Sequence, residues 1–194
     1  FVLTYTYRDS TATPNVALAQ ANITYIDAIG RPIQQIAGKA PATGKDIITH
    51  IEYDSYGRQA KEYLPYEGSG SALQYDSSAL TNTLTFYADP YYESTLNPYT
   101  QNFYEASPLS RVLKQAAPGA AWQGNAANDN DHAVKFVYQT NSSSDNVKRL
   151  RAVANWNGTT KLYDINFYND GNYPASQLYK TVTRDENWVS GNNN

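Results

Sequence analysis

Residues 128 to 132, NDNDH, form the densest run of oxygen ligands in the chain and include one of its two histidines. Calcium is held by several carboxylate and carbonyl oxygens on a flexible loop, and Asp129, Asn130 and Asp131 offer that chemistry. The run lacks the glycine and the distal glutamate of a calcium-binding loop, so a solvated loop ahead of a strand is expected, with Asp129 and Asp131 as the candidate ligands if a cation binds. His50, in DIITHIEYD, has no histidine or cysteine near it in sequence. Zinc needs three or four convergent ligands, and the chain has two histidines and no cysteine; His50 is expected to face outward from a strand. Gly44-Lys45-Asp46 lacks the remaining glycine and the following helix of a phosphate loop and reads as a turn. Glu52 with Asp54, or Asp185 with Glu186, would suit acid/base work on a polysaccharide only at a defined carboxylate separation, which spacing alone does not supply. No catalytic residue and no cofactor is assigned.

Aromatic residues are the other source of chemistry. The stretch YADPYYESTLNPYTQNFY at 87 to 104, with Trp122 and Trp156, offers flat rings that stack on sugar CH faces. Tyr91, Tyr92 and Trp122 are the candidate carbohydrate contacts under that reading. The competing role is packing: such rings line hairpin faces and fix a long connection onto a sheet.

Composition narrows the classes. The 194 residues are enough to bury a core as one domain or to be a segment of something larger. Without cysteine there is no disulfide and no thiol chemistry. Methionine is also absent and the first residue is Phe1, so the chain is expected to be an excised or processed piece. FVLTYTY at 1 to 7 alternates as a strand and lacks the layout of a signal peptide. No apolar run approaches the roughly 18 residues of a spanning helix. A net charge of -3 offers no general attraction for nucleic acid or anionic lipid, and neither nucleic-acid binding nor membrane insertion is expected. Tyrosine is the outlier, with 18 residues against 5 Phe and 3 Trp, a profile suited to strands with one buried and one wet face.

These residues must be positioned by hairpins. ITYIDAIGRPIQQIAG at 23 to 38 and IEYDSYGRQAKEYLPY at 51 to 66 share a strand, an Asp, two residues, Gly-Arg and a second strand. The interval from Gly30 to Gly57 falls in the roughly 20–50-residue range of structural repeats. Asp27 and Asp54 are expected to hydrogen-bond the backbone ahead, and Gly30 and Gly57 to take the positive φ that closes the turn. Arg31 and Arg58 begin the return strands, and Tyr25 and Tyr53 lie on the strands leading in. FYEASPLSRVLKQAAPG at 103 to 119 is a third copy with Ser110-Arg111 for Gly-Arg; its turn is expected to differ, because Pro108 fixes φ and Ser110 resists positive φ. LYDINFYNDGNYP at 162 to 174 is a fourth, more degraded copy. Residues 67 to 102 hold a short helix near 77 to 88, with Ala79, Leu80, Thr83, Leu84 and Tyr87 on one face after Asp76 or Ser77 as cap, and an irregular connection. Strands follow at 132 to 140, 147 to 156, 160 to 168 and 176 to 188. SGNNN at 190 to 194 is expected to fray. The class is all-β, mainly antiparallel hairpins, in a single β-rich segment over 1 to 194.

The YD-x-x-GR cores at 53 to 58 and, as Tyr25 then Asp27 to Arg31, at 25 to 31 resemble the YD repeats of bacterial Rhs proteins. The ordered run GRPIQQ, GKDI, YDSYGRQAKEYLPY, NPYTQNFYEASPLSRVLKQAAPG, VKFVY and LYKTVTRDENW is similar to the domain that precedes those repeats. The resemblance implies a spiral of hairpins winding into a hollow shell around a variable C-terminal toxin or effector, in a secreted or bacterial cell-surface protein. Its partners would be the remainder of its own polypeptide and the enclosed effector, with secretion machinery and surface glycans as further partners. The Asp-Pro-rich autoproteolysis motif of such proteins is missing; Asp89-Pro90 stands alone. The resemblance thus implies a non-catalytic structural segment. A surface carbohydrate-binding or adhesion module is the alternative.

Overall fold

The computed structural model describes residues 1–7, 15, 18–70, 72–189 and 191. They fall into two compact units, one of Phe1–Lys135 with Arg184–Asn194 and one of Phe136–Thr183. The architecture is mostly antiparallel sheet with one short α-helix, as the alternating sequence requires.

In the first unit, strands β1 (Val2–Tyr7), β2 (Ala19–Ile26), β3 (Pro32–Ala37), β4 (Ile47–His50) and β6 (Tyr66–Glu67) form an antiparallel sheet in the order β1-β2-β3-β4-β6. Period-two alternation places Ile23, Ile36 and Ile48 on the same face, where they form the core with Tyr66 and Ala79. Ala79 and the buried Thr83 belong to helix α1 (Ala79–Tyr87), and Phe86 adds its ring to the same cluster. Ser78 occupies the cap position, but its own side chain makes no capping bond. Asp76 does that work: its carboxylate accepts from the Ser78 N–H at 2.8 Å and its carbonyl from the Ala79 N–H. Asp76 is itself fixed by Gln34, a fully buried side chain that bonds both its N–H and its carbonyl oxygen. The helix ends at Asp89-Pro90 as the sequence indicates, and a 3-10 turn, Pro90–Tyr92, follows with Asp89 as its cap.

A second sheet in the same unit joins β5 (Lys61–Tyr63), β7 (Tyr99–Tyr104), β8 (Val112–Ala116) and the first residues of β9 (Ala133–Thr140). The chain passes from the first sheet to the second between β4 and β5, where Ile51 bridges to Glu62.

The second unit holds the rest of β9, strands β10 (Lys148–Asn157) and β11 (Leu162–Asn172), and β12 (Tyr179–Arg184) as far as Thr183. β10 and β11 make a long two-stranded ribbon closed by a turn at Asn157–Lys161. The fourth copy expected at 162 to 174 is therefore overturned: β11 runs as one strand from Leu162 to Asn172, and Asp164 accepts from the Asn157 side-chain amide across the ribbon instead of opening a corner. Asn141 fixes the chain ahead of β12. Its buried side chain donates to Pro174 O and accepts from the Gln177 and Leu178 N–H groups. Of the tail expected to fray, Gly191 alone is among the described residues; 190 and 192–194 lie outside them.

Candidate functional site

The two Asp-x-x-Gly-Arg corners are superimposable in their bonding. Asp27 Oδ1 accepts from the N–H groups of Ile29 and Arg31 at 3.0 and 2.9 Å, and Oδ2 from Arg31 Nε at 2.8 Å. Asp54 Oδ1 accepts from Tyr56 and Arg58 N–H, each at 2.9 Å, and Oδ2 from Arg58 Nε at 2.8 Å. In each corner the Asp N–H donates to the Arg carbonyl and the Gly N–H to the Asp carbonyl. Gly30 and Gly57 take φ of +88° and +76°. Side chains disfavour that conformation, so glycine is required by the backbone rather than by a ligand. The hydrogen bonds from the arginine N–H, above all, and from its guanidinium hold both aspartates below the usual carboxylate range, against the opposing effect of burial.

Each corner also docks on the next. The Arg31 guanidinium lies 4.3 Å from the centre of the Tyr53 ring, and the Tyr53 hydroxyl donates to Pro32 O at 2.9 Å. One corner later the relation repeats: Arg58 lies 4.3 Å from the Tyr104 ring, and the Tyr104 hydroxyl reaches Gln59 O at 3.5 Å. In both cases the tyrosine of one corner stacks on the arginine of the preceding corner and bonds the carbonyl immediately after it. Gly57 closes the fit, since a Cβ there would lie 3.3 Å from Arg31 Nη1. Tyr25 stands apart from this pattern; its hydroxyl donates to Leu73 O at 2.7 Å and its ring meets Tyr75 edge-on.

The third copy is a real corner, two residues longer. Ser110 adopts φ of +49° in the place of the glycine, and its N–H donates to Ser107 O as Gly57 does to Asp54 O. The expectation that Ser110 resists positive φ is thus overturned: Ser107 Oγ accepts from Leu109 N–H, and the turn around it selects the left-handed residue. Glu105, directly after Tyr104 as Asp54 is after Tyr53, supplies the carboxylate. It accepts from Arg111 Nε and Nη2 at 2.9 and 2.8 Å, and its N–H donates to Arg111 O. The Arg111 guanidinium, with the Ser107 hydroxyl, pulls Glu105 down to about 2. Ser110 Oγ in turn accepts from Arg58 Nη1, which links the second corner to the third.

The loop carrying Asp129 and Asp131 does converge on a cation, and that cation belongs to the chain. The Lys114 ammonium lies 2.8 Å from Asn125 O, 2.6 Å from Asn128 O, 3.0 Å from Asp131 Oδ2 and 3.1 Å from Asp129 Oδ1. Lys135, opposite Lys114 in the β8–β9 register, donates to Asp131 O and Ala133 O and lies 3.3 Å from Asp131 Oδ1. Both lysines are buried. Burial raises Asp131, but the Asn125 N–H and the two ammonium groups outweigh it and leave the carboxyl below its usual value. The loop is exposed ahead of β9, as the sequence indicates, and on its inner side it folds an oxygen cage around the chain's own ammonium. The signal was available in β8: Val112, Lys114 and Ala116 alternate, so the lysine occupies an inward position.

The other candidates separate. His50 is half-buried rather than outward, its ring edge-on to Tyr63 and its Nε2 3.8 Å from Glu52 Oε2. Glu52 accepts from the Tyr63 hydroxyl at 2.9 Å, and burial with this carboxylate pushes the Tyr63 phenol well above its usual range. Tyr63 is held as a hydrogen-bond donor, the opposite of what a nucleophile or base requires. Asp54 is committed to its corner and makes no acid/base pair with Glu52. Asp185 accepts from Asn187 N–H in a local turn. Tyr92 stacks on Phe86 at 4.8 Å, Tyr91 stands edge-on to it and is 85% exposed, and Trp122 belongs to another group, edge-on to His132. A recess of about 380 Å³ opens beside the α1 start, bounded by Asp46, Gln74, Tyr75, Asp76 and Asn82. Both of its carboxylates are turned on their own chain: Asp46 accepts from Lys39 and Leu73 N–H, and Asp76 from Ser78 N–H, Asn82 and Tyr66.

No curated protein and no solved structure matches this chain. A family model described as "Domain of unknown function (DUF6443)" matches residues 3–136, more than half of the sequence and the stretch that holds all three corners and the lysine cage, and the chain belongs to that family.

Proposed function

We propose that the chain is a non-catalytic wall segment of a large exported bacterial polypeptide of the Rhs/YD-repeat kind, one that builds or closes a β-shell around a C-terminal toxin or effector. The observation that carries this reading is the repeated docking of Tyr53 on Arg31 and of Tyr104 on Arg58. A contact that each corner makes with its predecessor propagates hairpins in one direction, as a wall requires, and paired hairpins leave fewer open sheet edges for unwanted association. The committed hydrogen bonds of Asp27, Asp54, Glu105 and Asp131 agree with a structural role that needs no cofactor. On this reading the protein is secreted or at the bacterial cell surface, and its partners are the rest of its own polypeptide and the enclosed effector.

Protease protection of the C-terminal region of the full-length protein tests the proposal. Intact corners should leave that region resistant, and Arg31→Ala combined with Arg58→Ala should expose it. Equal protection in both proteins would sink the reading. A second reading, a carbohydrate-binding module, draws on the exposed Tyr91 ring braced by Tyr92 and Phe86. Glycan-array binding that vanishes with Tyr91→Ala would favour it over the wall.

A further inference from the structure

We infer that the apolar face of the β10–β11 ribbon is a self-association surface, occupied by the same face of a second copy of this chain. This stands independently of the wall function. The register pairs Ala152 with Phe167, Ala154 with Ile165 and Trp156 with Tyr163, and alternation places all six on one face. Every one of them is exposed, Phe167 at 74%, Tyr163 at 65%, Ile165 at 63% and Trp156 at 56%. A two-stranded ribbon in water is marginal without a third strand or a packed face.

The face is stepped along its length. β11 carries the large row, Tyr163, Ile165 and Phe167, and β10 carries the small residues Ala152 and Ala154, between the exposed Leu150, opposite Asn169, and Trp156 at the turn end. A twofold axis parallel to the strands lays β11 of one copy over β10 of the other at the same level. Phe167 then fills the space above the partner copy's alanine row, and Trp156 meets the tyrosine of the other β11. A twofold axis across the strands would set small over small and leave voids, so the step selects the first arrangement. From the exposed fractions, the four large side chains offer on the order of 500 Å² per copy. A pair buries about 1,000 Å², the lower threshold for a biological interface and the size of a weak, reversible one.

Sedimentation velocity of the 194-residue chain at tens of micromolar tests the inference. The expected result is a dimer that dissociates on dilution and that Phe167→Asp weakens at least ~30-fold. Ala152→Phe separates a shaped interface from simple stickiness: it adds apolar area and β propensity yet fills the step, so it should weaken the dimer as well. Because the chain has no cysteine, Ala152→Cys and Phe167→Cys variants, each alone and then mixed, report the geometry. A short thiol-reactive cross-linker, used because facing Cα atoms of packed sheets lie roughly 10 Å apart and too far for a disulfide, should join the copies chiefly in the mixture. Circular dichroism of each variant checks that the strands remain folded. A monomer at these concentrations, a dimer strengthened by Ala152→Phe, or a dimer with no cross-link in the mixture would each overturn the proposal.

Discussion

Lys114 carries its charge into the second sheet of the first unit because five oxygens meet it there, two of them backbone carbonyls of the loop it organises. The loop and the lysine are therefore conditions for one another. Lys114→Met should destabilise the first unit by about 3 kcal/mol, as expected when a buried ion pair loses one partner, and should free the 125–131 loop. Chemical denaturation reads the first effect and hydrogen exchange at the Asn125 amide the second. A variant as stable as the parent would show that the cage contributes little. Glu105 gives a second prediction at this scale, in acid. It sits at about 2 in the fold against an ordinary 4.5, and Asp27 and Asp54 also lie below their ordinary 3.8. The unfolded chain takes up these protons first, so the carboxylates stabilise the fold fully above about pH 5, and that contribution is lost as pH falls through their folded values. The thermal midpoint should be flat from about pH 7 to 5 and should decline below about 4.5, more shallowly in Glu105→Gln. An equal slope in the two proteins would remove Glu105 from the account.

Corners are the elements that repeat, and their strength lies in three roles that a short segment can hold: a carboxylate for the turn amides, a residue at positive φ, and an arginine that reaches back to the carboxylate and forward to the next tyrosine. Ser110 holds the second role without being glycine, at φ +49°. Ser110→Gly should relieve about 1 kcal/mol of left-handed strain, reduced by the lost bond from Arg58 Nη1, and should raise the thermal midpoint. Arg31 and Tyr53 should show a coupling of about 0.5–1 kcal/mol in a double-mutant cycle with Arg31→Met and Tyr53→Leu; a coupling near zero would mean that the stacking is incidental. The first two corners were legible because Asp, Gly and Arg act within five residues of each other. The third was only partly so, because its carboxylate comes from Glu105, two residues earlier than the pattern requires, and Ser110 breaks a propensity that the local turn overrides. The turn-forming residues Asn169-Asp170-Gly171 do not end the strand: they make a bulge within β11, where the register steps from Leu150–Asn169 to Lys148–Asn172 and Gly171 takes φ of +86°. The helix and the strand alternation were readable from period alone. The inward position of Lys114 was readable from the β8 alternation as well, but its partners in the cage were not, since Lys114 and Asp131 are separated by a loop whose path no periodicity specifies.

At the scale of the molecule, the two units bury their apolar residues very differently. In the first, Ile23, Ile36 and Ile48 are covered by α1 and Tyr66, and lock and key are both inside the chain. In the second, Ile165 and Phe167 stand in the open on a ribbon of two strands. Opening free energies follow burial, so amides of β3 and β4 should exchange only by unfolding of the first unit, whereas those of β10 and β11 should exchange through local opening of the ribbon. The two classes should also respond differently to concentration. If copies associate through the ribbon, protection at Ala152, Ala154, Ile165 and Phe167 should rise with protein concentration by mass action, by about threefold (about 0.7 kcal/mol) for each tenfold increase in total protein well above the dissociation constant, because the free copy rises only as the square root of the total. Protection at Ile36 and Ile48 should stay constant over the same range. Hydrogen exchange by NMR at two or more concentrations separates these outcomes. Ribbon protection that is already as high as that of β3, and independent of concentration, would mean that the ribbon is stable by itself and that its apolar face needs no cover.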